Sequence, residues 1–175
     1  PISIFESGAI LQYLGRKTGK LYPADERGRV EVDQWLFWQM AGLGPMAGQT
    51  HHFRGYAAGF IKDQGQIAYG AIRYTNEVNR LYGVLNRQLE GRDYIAGDYS
   101  IADIACWPWT VSHEAQGIQI DDFPNVKAWR QRIAARPAVI KGVAVAPPTN
   151  AGADLKGTAA EAEKARAVLF GQRAR

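Results

Sequence analysis

Between Gln64 and Gly91 the residues Ile67, Ala71, Tyr74, Val78, Leu81, Leu85 and Leu89 recur at steps of three and four. That rhythm sets them along one side of a helix, so the segment reads as one long amphipathic helix whose apolar stripe other elements must cover. Gly91 is its natural stop. Upstream, Asp25 can cap a second helix in which Val32, Trp35, Leu36, Met40 and Leu43 keep the same spacing. Gly42, Gly44 and Pro45 interrupt that pattern and predict a kink or a break. The two helices can pack as an antiparallel pair, with GQTHHFRGYAAGF near the bend between them.

The stretch YIAGDYSIADIACWPW starts a third element. Ser100 and Asp103 have capping-box spacing, with Asp in place of the usual Glu, and Tyr99 with Ile104 fits a hydrophobic staple. The helix that follows is apolar nearly all round, which predicts a central, buried position, with Pro108 bending it or lying near its first turns. After Asp121-Asp122-Phe123-Pro124, an amphipathic helix carries Val126, Trp129 and Ile133 and should stop before Arg136-Pro137. From Pro147 the composition shifts to Pro, Thr, Asn, Ala and Gly, and only Ala159 to Phe170 again looks helical.

The chain has 175 residues, 46% of them hydrophobic, enough for a real core. Its formal net charge of +4 is spread along the sequence rather than gathered into a basic block, and arginine is not interleaved with aromatics, so nucleic acid is a poor guess. A single cysteine, Cys106, supplies neither zinc spacing nor an internal disulfide, which suits a reducing cytosol. No apolar run approaches the ~20 residues that cross a bilayer, and no basic-then-apolar leader opens the sequence. The expectation is a cytoplasmic protein with no membrane association.

The opening run Ile2-Ser3-Ile4-Phe5 is strand-like, begins in mid-pattern after Pro1, and breaks at Glu6-Ser7-Gly8. A lone strand cannot satisfy its backbone, so its sheet partners are expected outside this sequence. Ser7 sits where an N-cap belongs, ahead of a short helix with Ile10, Leu11, Tyr13 and Leu14 that ends near Gly19. Free N–H groups at such a start attract a carboxylate, the Ser7 hydroxyl adds a donor, and Glu6 offers a negative charge. Together they complement a zwitterion, carboxylate to the helix end and ammonium to Glu6, with Gly8 keeping the approach open. The plainer alternative is a good N-cap beside a solvated acid.

Other residues invite chemistry less strongly. His51 and His52 are adjacent, so their side chains diverge, and no third metal ligand lies at a suitable spacing. Cys106 falls in the buried helix and reads as a small core residue. Trp35, Trp38, Phe53 and Trp109 could face an electrophile, but core packing explains them as well. Lys164, Arg166, Arg173 and Arg175 read as a solvated face.

The segments ISIFESGAILQYL and YIAGDYSIADIACWPW resemble two motifs of the cytosolic glutathione transferases, over about residues 1 to 142. GLGPMAGQTHHF, IRYTNEVNRLYGVLNRQL and ARPAVIKG resemble the Nu-class and prion-precursor-like bacterial branch. The resemblance implies a mainly α fold: a C-terminal helical bundle, residues 24–146, preceded in residues 1–20 by the last strand and helix of a thioredoxin-like α/β domain. A peripheral tail follows over 147–175. It implies that Glu6 and Ser7 hold the γ-glutamyl end of glutathione, that Arg73 reaches the glutathione side of the cleft, and that Ser100 and Asp103 form a structural cap. It further implies glutathione as cosubstrate, no metal, a homodimer, and activity as a glutathione-dependent transferase or disulfide-bond reductase acting on a small electrophile or disulfide. A non-catalytic interaction module on the same scaffold is the alternative. The family's thiol-activating residue and its cis-proline have no counterpart here, since Pro1 stands too close to Glu6. The catalytic residue is therefore unknown and expected upstream.

Overall fold

The computed structural model describes residues 2–59 and 61–145, and in the tail residues 158, 160, 161, 163, 164 and 167. Seven α-helices order the body: α1 (Ser7–Thr18), α2 (Glu26–Trp38), α3 (Gly44–His51), α4 (Gln64–Gln88), α5 (Ile101–Val111), α6 (Pro124–Ala134) and α7 (Pro137–Val145). The helix expected over Ala159 to Phe170 lies mostly outside the described residues. Those described within it, among them Glu161 and Lys164, are helical, and the Glu161 carboxylate accepts from the Thr158 N–H at 2.8 Å.

Residues 2 to 5 form no strand, correcting the strand expectation. Among the described residues no strand lies beside them to take their hydrogen bonds, and Phe5 is left 83% exposed. α1 is fixed against α2 by polar contacts around Asp33, whose carboxylate accepts from Gln12 Nε2 at 2.8 Å and from the Tyr22 hydroxyl at 2.9 Å. Gly15 makes room for this linker, because a Cβ there would meet the Tyr22 Cβ at 2.6 Å.

Of the kink or break expected at Gly42 to Pro45, the break does not occur: a π-helical turn, Gln39–Leu43, lies there and the chain stays helical through it. The Gly44 N–H reaches back five residues to the Gln39 carbonyl. Pro45, second in α3, has no N–H to give, and the π turn stands immediately before that missing donor. A second π turn, His52–Tyr56, follows α3 in the same way, with the Ala57 N–H bonded to the His52 carbonyl. This long, twice-adjusted helical run packs along α4.

α5 lies in the middle, touching α1, α2, α3 and α6. Leu36, Leu43, Val78, Tyr82, Leu85, Ile95, Val126, Trp129 and Ile133 build the core around it, all essentially fully buried. Burial of such side chains contributes roughly 1.5–3 kcal/mol each before the ordering cost is set against it. Pro108 sits inside α5 rather than at its first turns, and the Thr110 hydroxyl donates to the Trp107 carbonyl at 2.8 Å. At the start of α6, the Asn86 side chain on α4 accepts from the N–H groups of Asn125 and Val126, at 3.0 and 3.3 Å. α6 stops at Ala134, and Pro137 opens α7, a short helix with no buried residue.

Candidate functional site

Glu6, not Ser7, is the N-cap of α1, which corrects the expected cap. Its carbonyl accepts from the Ile10 N–H at 3.0 Å, while its side chain makes no capping bond. Glu6 holds φ 68° and ψ 119°, a left-handed conformation that costs a non-glycine residue about 1–3 kcal/mol. The Glu6 side chain is thus left exposed, and Ser7, first in the helix, presents its N–H among the unpaired donors of the first turn.

Ser7 opens onto a groove of about 400 Å³ between α1, the first π turn, α3 and the Trp109 indole. The Ser7 hydroxyl has one weak acceptor, the Met40 sulfur at 3.7 Å. The floor is bare backbone: a Cβ on Gly44 would lie 3.3 Å from the indole, and one on Gly48 3.9 Å. Gly8 serves packing rather than ligand approach, since it is buried and a Cβ there would press on Met40 at 3.2 Å.

Gln39 also lines the groove and is only 4% exposed. Its carboxamide makes no hydrogen bond to another described residue, and its polar atoms are not among the buried ones left without a partner, which are Arg130 Nε and Arg136 Nε, so the amide opens to the groove, where a ligand or water can pair with it. Sequence reasoning missed Gln39. The signal was a polar residue placed in the apolar phase between Leu36 and Leu43.

Arg73 does not line this groove. It sits on α4, half exposed, 4.0 Å from the Glu77 carboxylate. A hydrogen bond from Arg80, with a weaker contribution from Arg73, holds Glu77 below the usual carboxylate range. Among the four candidate aromatics, Trp109 alone lines the groove; Trp35 and Trp38 meet edge to face at 5.2 Å, and Phe53 stacks on Tyr74 at 5.5 Å.

Ser100 and Asp103 close a capping box at α5: the Ser100 hydroxyl accepts from the Ala102 N–H at 3.3 Å, and the Asp103 carboxylate from the Ser100 N–H at 2.9 Å. Cys106 is fully buried, and burial pushes its thiol well above the ordinary value, so it is no nucleophile. His51 Nε2 lies 3.2 Å from the Ser112 hydroxyl, and His52 meets Phe53 edge to face. Among the described residues no cluster of three or more His, Cys, Asp or Glu could hold a metal, and no helix is long and apolar enough to cross a membrane.

Residues 73–137 match the glutathione S-transferase C-terminal domain. The disulfide-bond oxidoreductase YfcG of Escherichia coli (strain K12) is 50% identical over 139 residues, which are 79% of this chain and 62% of that protein. The glutathione S-transferase-like protein tpcF of Aspergillus fumigatus is 33% identical, over 82% of this chain and 69% of its own length. The chain belongs to the glutathione S-transferase family. A glutathione transferase from Burkholderia graminis, solved with two glutathione molecules bound per subunit, superposes with a TM-score of 0.75 at 44% identity, covering 86% of this chain and 62% of that one. Ure2p in complex with glutathione gives 0.71 at 37% identity, over 81% and 66%. These relatives are consistent with the Nu-class and Ure2-like branch of glutathione S-transferases. The chain spans 62% of YfcG and 50% of YghU, the first two curated relatives.

Proposed function

We propose that this chain supplies the γ-glutamyl-holding and helical parts of a glutathione-dependent disulfide-bond reductase of the transferase family. The observation that carries the reading is the groove at Ser7 with the Gln39 carboxamide, free of protein partners, open to it in its wall. The α-carboxylate of glutathione docks on the Ser7 N–H and hydroxyl, helped by the partial positive charge of the α1 start. Its ammonium meets Glu6, and Gln39 pairs with a peptide amide of the ligand. Arg73 adds a positive charge on the glutathione side.

The thiol must then be deprotonated, because the thiolate is the nucleophile. Buried Cys106 takes no part, and we assign thiol activation to a residue outside residues 1–175. The thiolate attacks one sulfur of a small disulfide, forming a mixed disulfide and expelling the other sulfur as thiolate, and a second glutathione resolves it to glutathione disulfide. Attack on an electrophilic carbon would be the transferase variant, with Trp109 flanking the second substrate. YfcG and YghU are disulfide-bond oxidoreductases by name, which favours the first reaction.

Within this reading, residues 1–20 complete a thioredoxin-like domain, 24–146 form the helical domain and 147–175 a peripheral tail. The exposed Val30 and Phe37 on α2 and Tyr69 and Ile72 on α4 support a homodimer, and we assign it to the cytoplasm, which suits a chain with a single cysteine. One relative, 35% identical, is the transcriptional regulator URE2, which keeps a non-catalytic module as the second reading.

The test is glutathione affinity and turnover of a small dialkyl disulfide by the full-length protein. Glu6→Gln, Ser7→Ala and Gln39→Leu should each weaken glutathione binding about tenfold, the loss of one hydrogen bond to a charged or buried group. Unchanged affinity in all three sinks the site. Binding without turnover selects the second reading.

A further inference from the structure

Met40 stands where α1 meets the first π turn, and two contacts fix its thioether. Its Sδ accepts from the Ser7 hydroxyl at 3.7 Å, and it rests on bare backbone at Gly8, where a Cβ would lie 3.2 Å from Cγ and 3.3 Å from Sδ. Met40 also lines the groove of about 400 Å³ at Ser7. The sequence holds two methionines, and the second, Met46, packs against the core instead. A peroxide that enters the groove therefore meets one thioether readily and the other poorly.

A thioether is a weak acceptor, and the Ser7 bond to it is long. Oxidation changes this. A sulfur lone pair attacks one oxygen of hydrogen peroxide, the O–O bond breaks, and the departing hydroxide takes the proton of the transferred oxygen, so that thioether and peroxide become sulfoxide and water. The sulfoxide oxygen is a strong acceptor with partial negative charge. Beside Ser7 it finds the hydroxyl and the unpaired N–H groups of the first turn of α1. Those are the same donors that this end of the groove offers to a carboxylate.

We propose that Met40 is a reversible oxidation site, at which the sulfoxide oxygen takes the Ser7 hydroxyl and the start of α1, so that peroxide closes this groove to carboxylate ligands. The effect on glutathione rests on the docking proposed at Ser7. The oxidation itself and the new bond to Ser7 do not.

The experiment treats the full-length protein with dilute hydrogen peroxide, removes the excess with catalase, and locates added oxygen by fragmentation mass spectrometry. Met40 should be oxidised about tenfold faster than Met46. Glutathione affinity should fall about tenfold in step with the Met40 sulfoxide. Methionine sulfoxide reductases acting on both sulfoxide epimers should restore it. Met46→Leu should keep the whole response, while Met40→Leu, whatever its own affinity, should show no change on treatment. In the ligand-free protein the Ser7 and Gly8 amide resonances should move on oxidation. If the untreated protein binds no glutathione, the docking at Ser7 falls, and those resonances together with the oxidation rates still decide the sulfoxide. Equal oxidation of the two methionines, unmoved Ser7 and Gly8 resonances, unchanged affinity with Met40 oxidised, or the same loss in Met40→Leu overturns the proposal.

Discussion

The Asp103 carboxylate accepts a hydrogen bond from the Trp129 indole at 2.8 Å, joining the first turn of α5 to α6. The same carboxylate accepts from the N–H groups of Ile95 and Ser100, at 3.1 and 2.9 Å. Asp103→Ala strands three buried donors and should cost about 3 kcal/mol or more, whereas Ser100→Ala removes two long contacts of 3.3 Å, one from the Ala102 N–H and one to Asp103, and should cost about 1 kcal/mol. Denaturant midpoints of the two variants check the ranking; equal midpoints would contradict it.

Tyr82 donates to the Gln116 side-chain oxygen at 3.0 Å, and Gln116 donates on to the Trp109 carbonyl at 2.6 Å. Both side chains are fully buried. Tyr82→Phe leaves an acceptor unpaired in the core and should lower stability by about 1–3 kcal/mol. Thermal unfolding of this variant, which leaves every groove residue untouched, measures it.

Gly70 on α4 faces the Phe53 ring so closely that a Cβ would lie 2.3 Å from it. Phe53 is itself stacked on Tyr74, so the ring has little room to retreat. Gly70→Ala should therefore destabilise by about 1–3 kcal/mol through overpacking, despite the better helix propensity of alanine. A rise in the unfolding midpoint would show that the ring moves freely.

Burial lowers the pKa of His51, against a smaller opposing effect of the Ser112 backbone. An unfolded histidine takes up its proton near pH ~6.5, the folded one only at lower pH. Between those values the unfolded state binds more protons, so the contribution is fully present above about pH 6.5 and is lost as the pH falls through the folded pKa. Wild type should lose more stability on acidification through this window than His51→Gln. Parallel stability curves would refute the assignment.

What the sequence made legible was local. The stripe from Val78 to Leu89 and the Ser100–Asp103 pair each encode their structure within a few residues, so periodicity and spacing suffice. The π turns were hidden because Gly42, Gly44 and Pro45 carry the same signal as a break. Choosing between the two takes the tertiary contacts of α3 with α4 and α5. Ile2 to Phe5 has strand chemistry, yet a strand exists only by pairing, and no partner is described. Ser7 pointed to the groove, but Gln39 emerged only once burial and the lack of a partner were known. Arg73 rested on resemblance alone, and its pairing with Glu77 could be read equally from their spacing of four.

Each π turn amounts to one extra residue accommodated in an otherwise continuous helix. Because the wider turn absorbs that residue, deleting one residue from Gln39–Leu43 should let the run wind as a regular α-helix while Ala47 and Thr50 keep facing inward. A deletion in the regular helix that follows has no such outlet and would turn the side chains after it by about 100°, carrying Gly48 away from the indole. The π turn thus marks where this run can change its length without losing its phase.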